Sequence, residues 1–385
     1  MNVLVVSTPG AGHVRPLLPL VTSLVAGGDR VVVVAAAPAG RQIEGTGAEF
    51  LPAGHGEDVW FARLIARTRG APGEGLAPER INHYFLPRLF GEIATDDMID
   101  DVLAIGRALG PDVIVFESCA LAGPLVGELL GTPAVHHLLG PIFDPEVFEL
   151  VDDAVSPLWR SFGRQSPGYA GVYRGLTIEL CPPSVEVNRL PGGDRLLLRP
   201  APRTVAAVPA SARPLIYATL GTFFNSATSI FRDTLVGLSD EPVDVVVTVG
   251  SDRDPSELDP IPANAQVERF IPQATLLPSC AVVVHHGGAG TTFGCLAQGL
   301  PQVVIPQGAD NFINAAMVER AGVGLVLRPS DVDPDTIRRT VRQVLHEPRF
   351  TAAARRISEE IAAMPGPDEV ATQLRARLSA RRTTR

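Results

Sequence analysis

The chain has 385 residues, 45% of them hydrophobic, with 37 glycines, 35 prolines and a formal charge of −9 spread along its length, which suits two soluble α/β domains and argues against a nucleic-acid surface. All 33 basic residues are arginine, so a Walker-type phosphate lysine, a Schiff base and pyridoxal-phosphate chemistry are excluded. The cysteines, Cys119, Cys181, Cys280 and Cys295, lack CxxC spacing and indicate no disulfide framework or zinc cluster, and without a long apolar run or basic leader the expectation is a cytoplasmic protein.

Residues 3–6 read as a strand, 16–26 as a helix closed by Gly27 and Gly28, and 31–35 as a second buried strand. This is a βαβ unit of a parallel sheet. The turn PGAGHVRP has the outline of a dinucleotide fingerprint, but Arg15 holds the third glycine position and the second strand ends in alanines, with no acid for a ribose. NAD binding is therefore not expected. The turn offers His13 instead, at the carboxyl end of the first strand, where open α/β sheets bind ligands. Between 52 and 101 the pattern loosens, and the density of Trp60, Phe61, His83, Tyr84, Phe85 and Phe90 favours the lining of an apolar cleft over a mobile excursion. The pocket lining is assigned to Trp60, His83, Phe85, Phe116, His137 and Phe143. Order returns at 111–140 with a strand, a helix ended by Gly131 and a strand at 134–136, placing Glu117 on the sheet edge that carries His13. A carboxylate there can orient and charge-stabilise an imidazole; the alternative is a cap for the following helix.

Residues 190–214, rich in proline, glycine and arginine, read as a linker. Strands at 215–218, 243–249, 266–270, 281–284 and 302–305 then alternate with helices at 230–238 and 314–321. Helices near 335–345 and 351–363 and an amphipathic segment at 368–382 close the chain. In 281–292, AVVVHHGGAGTT, a β-branched run passes through glycines into a helix start. Gly287, Gly288 and Gly290 let backbone approach a ligand, and Thr291 and Thr292 lie where helix N–H groups lack partners. A diphosphate there would receive backbone donors, the helix dipole, a threonine hydroxyl and an imidazole from His285 or His286. The alternative is a tight turn whose glycines serve packing.

PGAGHVRPLLPL, LGTFFN, RFIPQATLLPSCAVVVHHGGAGTTFGCLAQGLPQVVIPQGADNFINA and GVGL together resemble the nucleotide-sugar-dependent glycosyltransferases of the GT-B fold, and among them the bacterial enzymes that decorate polyketide and other antibiotic aglycones. The resemblance covers nearly the whole chain and is strongest over 269–315. It implies an α/β protein with two Rossmann-like parallel-sheet domains facing each other across a cleft. The acceptor domain would span 1–200 and the nucleotide-sugar domain 201–365, with a C-terminal helix at 366–385 packed back on the first. It further implies that Phe270 stacks on the nucleotide base beside Ile271 and Gln273, and that Thr222, His286, Gly288, Gly290 and Thr291, with Gly12, cradle the diphosphate. Asp310 and Asn311 would hold the sugar, and His13 would be the catalytic base with Glu117 as its partner. Two positions depart from the pattern: Asn311 stands where glutamine is common and Glu117 where aspartate is usual.

The implied reaction is inverting transfer of a sugar from a dTDP- or UDP-sugar to a hydrophobic aglycone, without cofactor or metal. A His13 near its ordinary pKa takes the acceptor proton, and donors at the glycine turn stabilise the departing diphosphate. Asparagine, one methylene shorter than glutamine, is expected to favour a deoxyhexose donor. Alternatives are a C-glycosyltransferase acting on an aromatic polyketide and a non-catalytic helper of the same fold. The partners expected are small molecules, neither nucleic acid nor membrane, with a homodimer admitted.

Overall fold

The computed structural model describes residues 1–68, 75–77, 80–188, 193–200, 213–221 and 227–383. The chain forms two compact units: Met1–Cys181 with Asn188–Ala201 and Pro365–Arg385, and Pro182–Val187 with Pro202–Met364.

In the first unit, strands β1 (Asn2–Val6), β2 (Arg30–Ala35), β3 (Glu49–Pro52), β4 (Val113–Glu117), β5 (Ala134–His137), β6 (Leu176–Glu179) and β7 (Asp194–Leu197) form one parallel sheet in the order 3-2-1-4-5-6-7. Its central strands are apolar on both faces because both faces are covered. Leu4, Val6, Val32, Val34, Ile114 and Phe116 enter one core, while Val3, Val5, Val31, Val33, Val113 and Val115 enter the other, the period-two alternation of a strand acting on a continuous apolar run. The second core is closed by helices Leu18–Ala26 and Pro367–Thr383, the latter contributing Val370, Ala371, Leu374 and Leu378. Arg375 of that helix reaches Asp29 at 2.8 Å, and so does the N-terminal ammonium at 2.8 Å. Gly27 makes the room, since a Cβ there would stand 1.9 Å from the Arg375 guanidinium.

Two expectations are corrected in this unit. The stretch read as linker contains β7, paired with β6 from Asp194 to Leu197; a four-residue strand between proline and glycine is too short for periodicity to show. Residues 201–212 of that stretch lie outside the described residues. The loosened region holds helices Glu57–Arg67, Ile81–Phe85 and Thr95–Leu109, the last entered through a π-helical stretch, Leu86–Ala94. Wider π winding shifts the apolar face away from the 3.6-residue repeat that a sequence reading looks for.

In the second unit, β8 (Leu215–Thr219), β9 (Asp244–Thr248), β10 (Ala265–Glu268), β11 (Val282–His285), β12 (Gln302–Val304) and β13 (Gly324–Val326) form a parallel sheet in the order 10-9-8-11-12-13. In each sheet the strand order reverses at one place, between β1 and β4 and between β8 and β11. Crossover helices leave such a switch point in opposite directions, which opens a crevice at the strands' carboxyl ends. Among the described residues no helix is long and apolar enough to cross a membrane.

Candidate active site

The first switch point carries an imidazole and a carboxylate. β4 ends in Glu117, and β1 runs on into the short helix Ala11–Val14 that holds His13. Glu117 is fully buried, and its Oε1 accepts the Thr8 N–H at 3.0 Å and the Thr8 hydroxyl at 2.9 Å. Its Oε2 accepts the Cys119 N–H at 2.8 Å and faces His13 Nδ1 at 3.1 Å. The carboxylate thus fixes the proton on Nδ1 and leaves Nε2 as the lone pair able to take another. The His13 side chain is 22% exposed, and its ring lies 5.7 Å from that of Phe90.

Burial opposes a charged imidazole, but the charge and hydrogen bond of Glu117 together with the Cys119 side chain outweigh it, and the His13 pKa stands well above the ordinary histidine value. Burial likewise works to raise Glu117, yet His13 and the N–H donors hold it below the usual carboxylate range. The expectation of a near-ordinary His13 is therefore corrected: the buried carboxylate beside it favours the protonated imidazole. Donor atoms of His13, Glu117 and Cys119 lie within 4.8 Å of one another. With four donors already on the carboxylate, the cluster is built to orient an imidazole, not to cage a cation.

The second switch point carries the glycine turn. His285 ends β11 fully buried, with Nε2 on Gln302 Oε1 at 2.9 Å and Nδ1 accepting the Gly287 N–H at 3.1 Å. Burial pushes its pKa down to about 3, so it is a neutral structural residue. His286 is held between two glycines: a Cβ on Gly221 would lie 2.6 Å from its ring and one on Gly288 2.5 Å. Burial lowers its pKa to about 4, so it can serve an anion as a neutral N–H donor and not as a cation. Gly287 adopts φ 92°, which a side chain would resist.

The helix Ala289–Gln298 begins at Gly288 without a side-chain cap from that residue, and the Ala289 N–H donates to Asp310 Oδ2 at 3.2 Å. Asn314, fully buried, donates through Nδ2 to the Gly287 carbonyl at 2.7 Å and to Asp310 Oδ2 at 2.8 Å. One amide thus ties the glycine turn to the carboxylate. Ala309, next to Asp310, has φ 50°, a conformation that non-glycine residues rarely hold without a local reason. The Gln273 amide donates to the Thr291 hydroxyl at 2.9 Å, and Phe270 leaves 59% of its surface exposed beyond β10. Glycines, an uncharged imidazole and a helix N-terminus form an anion-binding arrangement.

Residues 232–377 match the family described as erythromycin biosynthesis protein CIII-like, C-terminal domain. The chain is 30% identical to the elloramycin glycosyltransferase of Streptomyces olivaceus in an alignment covering 97% of each. It belongs to the antibiotic glycosyltransferases. The 4'-demethylrebeccamycin synthase of Lentzea aerocolonigenes is also 30% identical, over 94% of this chain and 96% of its own. Among solved structures, the Streptomyces sp. SF2575 glycosyltransferase complexed with thymidine diphosphate has a TM-score of 0.79 at 25% identity, covering 98% of this chain and 99% of that one. The glycosyltransferase VinC in complex with dTDP has a TM-score of 0.79 at 25% identity, covering 99% and 100%. The two parallel sheets are those of the GT-B fold.

In this glycosyltransferase, the structure brings His13 to Glu117, His286 to Gly288, Gln273 to Thr291 and Asp310 to the start of the Ala289–Gln298 helix. Gly12 and Gly290 are exposed, with open space where a Cβ would be, and Ile271 packs beside the core under the sheet. Thr222 lies outside the described residues. Asn311 is corrected: it is 1% exposed, and its Oδ1 accepts the Gln307 and Gly308 N–H groups at 3.2 Å each. Its amide closes the loop before the helix and donates to Asp310 Oδ1 at 3.2 Å, so its length measures no gap to a sugar and does not select a deoxyhexose.

Three acceptor-pocket residues are corrected as well. Trp60 is 0% exposed and donates its indole N–H to Asp97 at 2.9 Å. Phe116, 1% exposed, stacks on His136, and His137, 0% exposed, turns Nδ1 to the Leu138 carbonyl at 2.9 Å. These are core side chains with no wall to offer. His83, Phe85 and Phe143 keep some surface, His83 with Nε2 3.5 Å from Glu146. Two residues escaped the sequence reading, Asn314 and Glu57. Asn314 follows Asp310 by four residues, a spacing that sets both on one helix face and could have flagged it. Glu57 gave no signal, because its helix was not recognised.

Proposed function

We propose that the chain is an inverting, metal-independent glycosyltransferase that moves a hexose or deoxyhexose from a dTDP- or UDP-sugar to a hydroxyl of a hydrophobic, polyketide-type aglycone. The observation that carries this reading is the His13–Glu117 pair at 3.1 Å, a base with its tautomer and orientation set by a buried carboxylate. His13 Nε2 takes the acceptor proton as the oxygen attacks the anomeric carbon, and Glu117 balances the imidazolium that forms. The diphosphate leaves toward the glycine turn, where the helix N-terminus and the neutral His286 meet charge that grows in the transition state. Phe270 supplies a flat face for the base, and Asp310 accepts from sugar hydroxyls. Attack and departure on opposite faces invert the anomeric carbon. Backbone and imidazole donors take the part that a metal plays in other diphosphate sites. The thymidine diphosphate held by relatives of this fold supports a dTDP-linked donor.

The test is incubation with dTDP- and UDP-hexoses against a panel of aromatic polyketide and macrolide aglycones, with EDTA present, and NMR of the product's anomeric centre. An inverted glycoside is expected. Retention, or activity that returns only on adding magnesium, overturns the corresponding part of the mechanism, and no product from any pair overturns the transferase reading.

A further inference from the structure

The His13 ring is flanked by two carboxylates, and only Glu117 is accounted for. Glu57, the first residue of the helix Glu57–Arg67, is half-buried, and among the described residues no protein donor is found on its carboxylate. Its position follows from Gly10. A Cβ built on Gly10 would stand 2.7 Å from Glu57 Oε1 and 3.0 Å from His13 Cδ2, so the carboxylate and the imidazole both border the space that a side chain there would fill. Cδ2 is bonded to Nε2. Glu117 therefore holds the Nδ1 side of the ring while Glu57 lies near its Cδ2 side, which Nε2 adjoins. Burial pushes the Glu57 carboxyl above the usual range, and the nearby His13 counters that in part. A carboxylate so placed lacks hydrogen-bond donors that water or a ligand must supply.

We infer that Glu57 is a specificity-determining residue of the acceptor site: its carboxylate accepts a hydrogen bond from a second hydroxyl on the acceptor, adjacent to the hydroxyl deprotonated by His13. This rests on the transferase reading above. Acceptors with two neighbouring hydroxyls are then the preferred substrate class, because one hydroxyl meets Nε2 and the other meets Glu57. The Phe90 ring, 5.7 Å from that of His13, favours an aromatic ring as their carrier.

The experiment compares catechol-bearing aromatic acceptors with their mono-methyl ethers, the remaining hydroxyl being the one glycosylated, with a dTDP-hexose as donor. The native enzyme is expected to favour the diol by about tenfold or more in kcat/KM, mainly through acceptor KM, as a hydrogen bond to a charged acceptor warrants. Glu57→Ala should bring the ratio near one. Glu57→Gln, which keeps the shape and a neutral acceptor, should reduce it only in part, and it remains informative if the alanine variant folds poorly. Equal losses on both acceptors in both variants would show a general structural role and overturn the inference, as would a native enzyme indifferent to the second hydroxyl. A native enzyme that glycosylates neither member of any pair, nor any aglycone of the wider panel, overturns the transferase reading beneath it instead.

Discussion

His13 and Glu117 titrate as a pair, and the pair's two shifts bound the working range of the site. The raised His13 pKa contributes stability that is complete below the ordinary histidine value and is lost as pH rises through the folded value. The lowered Glu117 pKa contributes stability that is present above the ordinary carboxylate value and is lost as pH falls through the folded one. The proposed mechanism needs the neutral imidazole, so kcat/KM should climb with pH through a limb above the ordinary histidine range. Glu117→Gln should move that limb to lower pH and reduce the plateau; a limb that stays in place in this variant would argue against the pairing. His13→Ala should lower kcat by about two to four orders of magnitude while leaving dTDP affinity, measured by calorimetry, unchanged. Asn314→Ala strips a donor from the Gly287 carbonyl and from Asp310. With buried groups costing about 1 to 3 kcal/mol when left unmet, donor-sugar affinity should fall by about tenfold or more. The meeting of His13 with Glu117 was legible because both follow from strands that end on one sheet edge; Asn311 was misread because a sequence shows which amide is present but not which backbone it bonds.

At the scale of elements, the C-terminal helix Pro367–Thr383 is held by an apolar stripe and by one ionic contact to a buried acid. Asp29 is 4% exposed on its side chain and meets both Arg375 and the N-terminal ammonium. Arg375→Ala should therefore cost about 1 to 3 kcal/mol, and Gly27→Ala, which places a methyl against the same guanidinium, should have a similar effect. Thermal denaturation of the two variants checks this, and unchanged midpoints would show that the stripe alone suffices. The β-branched strands were read within a residue or two because both their faces are apolar. Strand β7 and the π-helical stretch Leu86–Ala94 were not, since the first is four residues long and the second departs from the helical period.

For the molecule as a whole, ligand linkage gives a test that does not need the acceptor. dTDP at about a hundred times its Kd should add about 2.7 kcal/mol to unfolding, seen as a higher melting midpoint. His286→Ala and Thr291→Ala should each shrink that rise, and EDTA should not; retention of the full rise in both variants would return the turn to a packing role. The amino-acid order by itself determined two parallel sheets, the position of His13 at the end of one and of the glycine turn at the end of the other, because strand runs, turns and helix starts are local in the chain. It did not determine what surrounds His13. Glu57, on a helix 44 residues on, comes to border the same space beside Gly10 as His13, and Trp60 and Phe116 turn into the core. Which face of a helix is buried depends on the elements packed against it, and those are remote in sequence, so only the tertiary structure decided it.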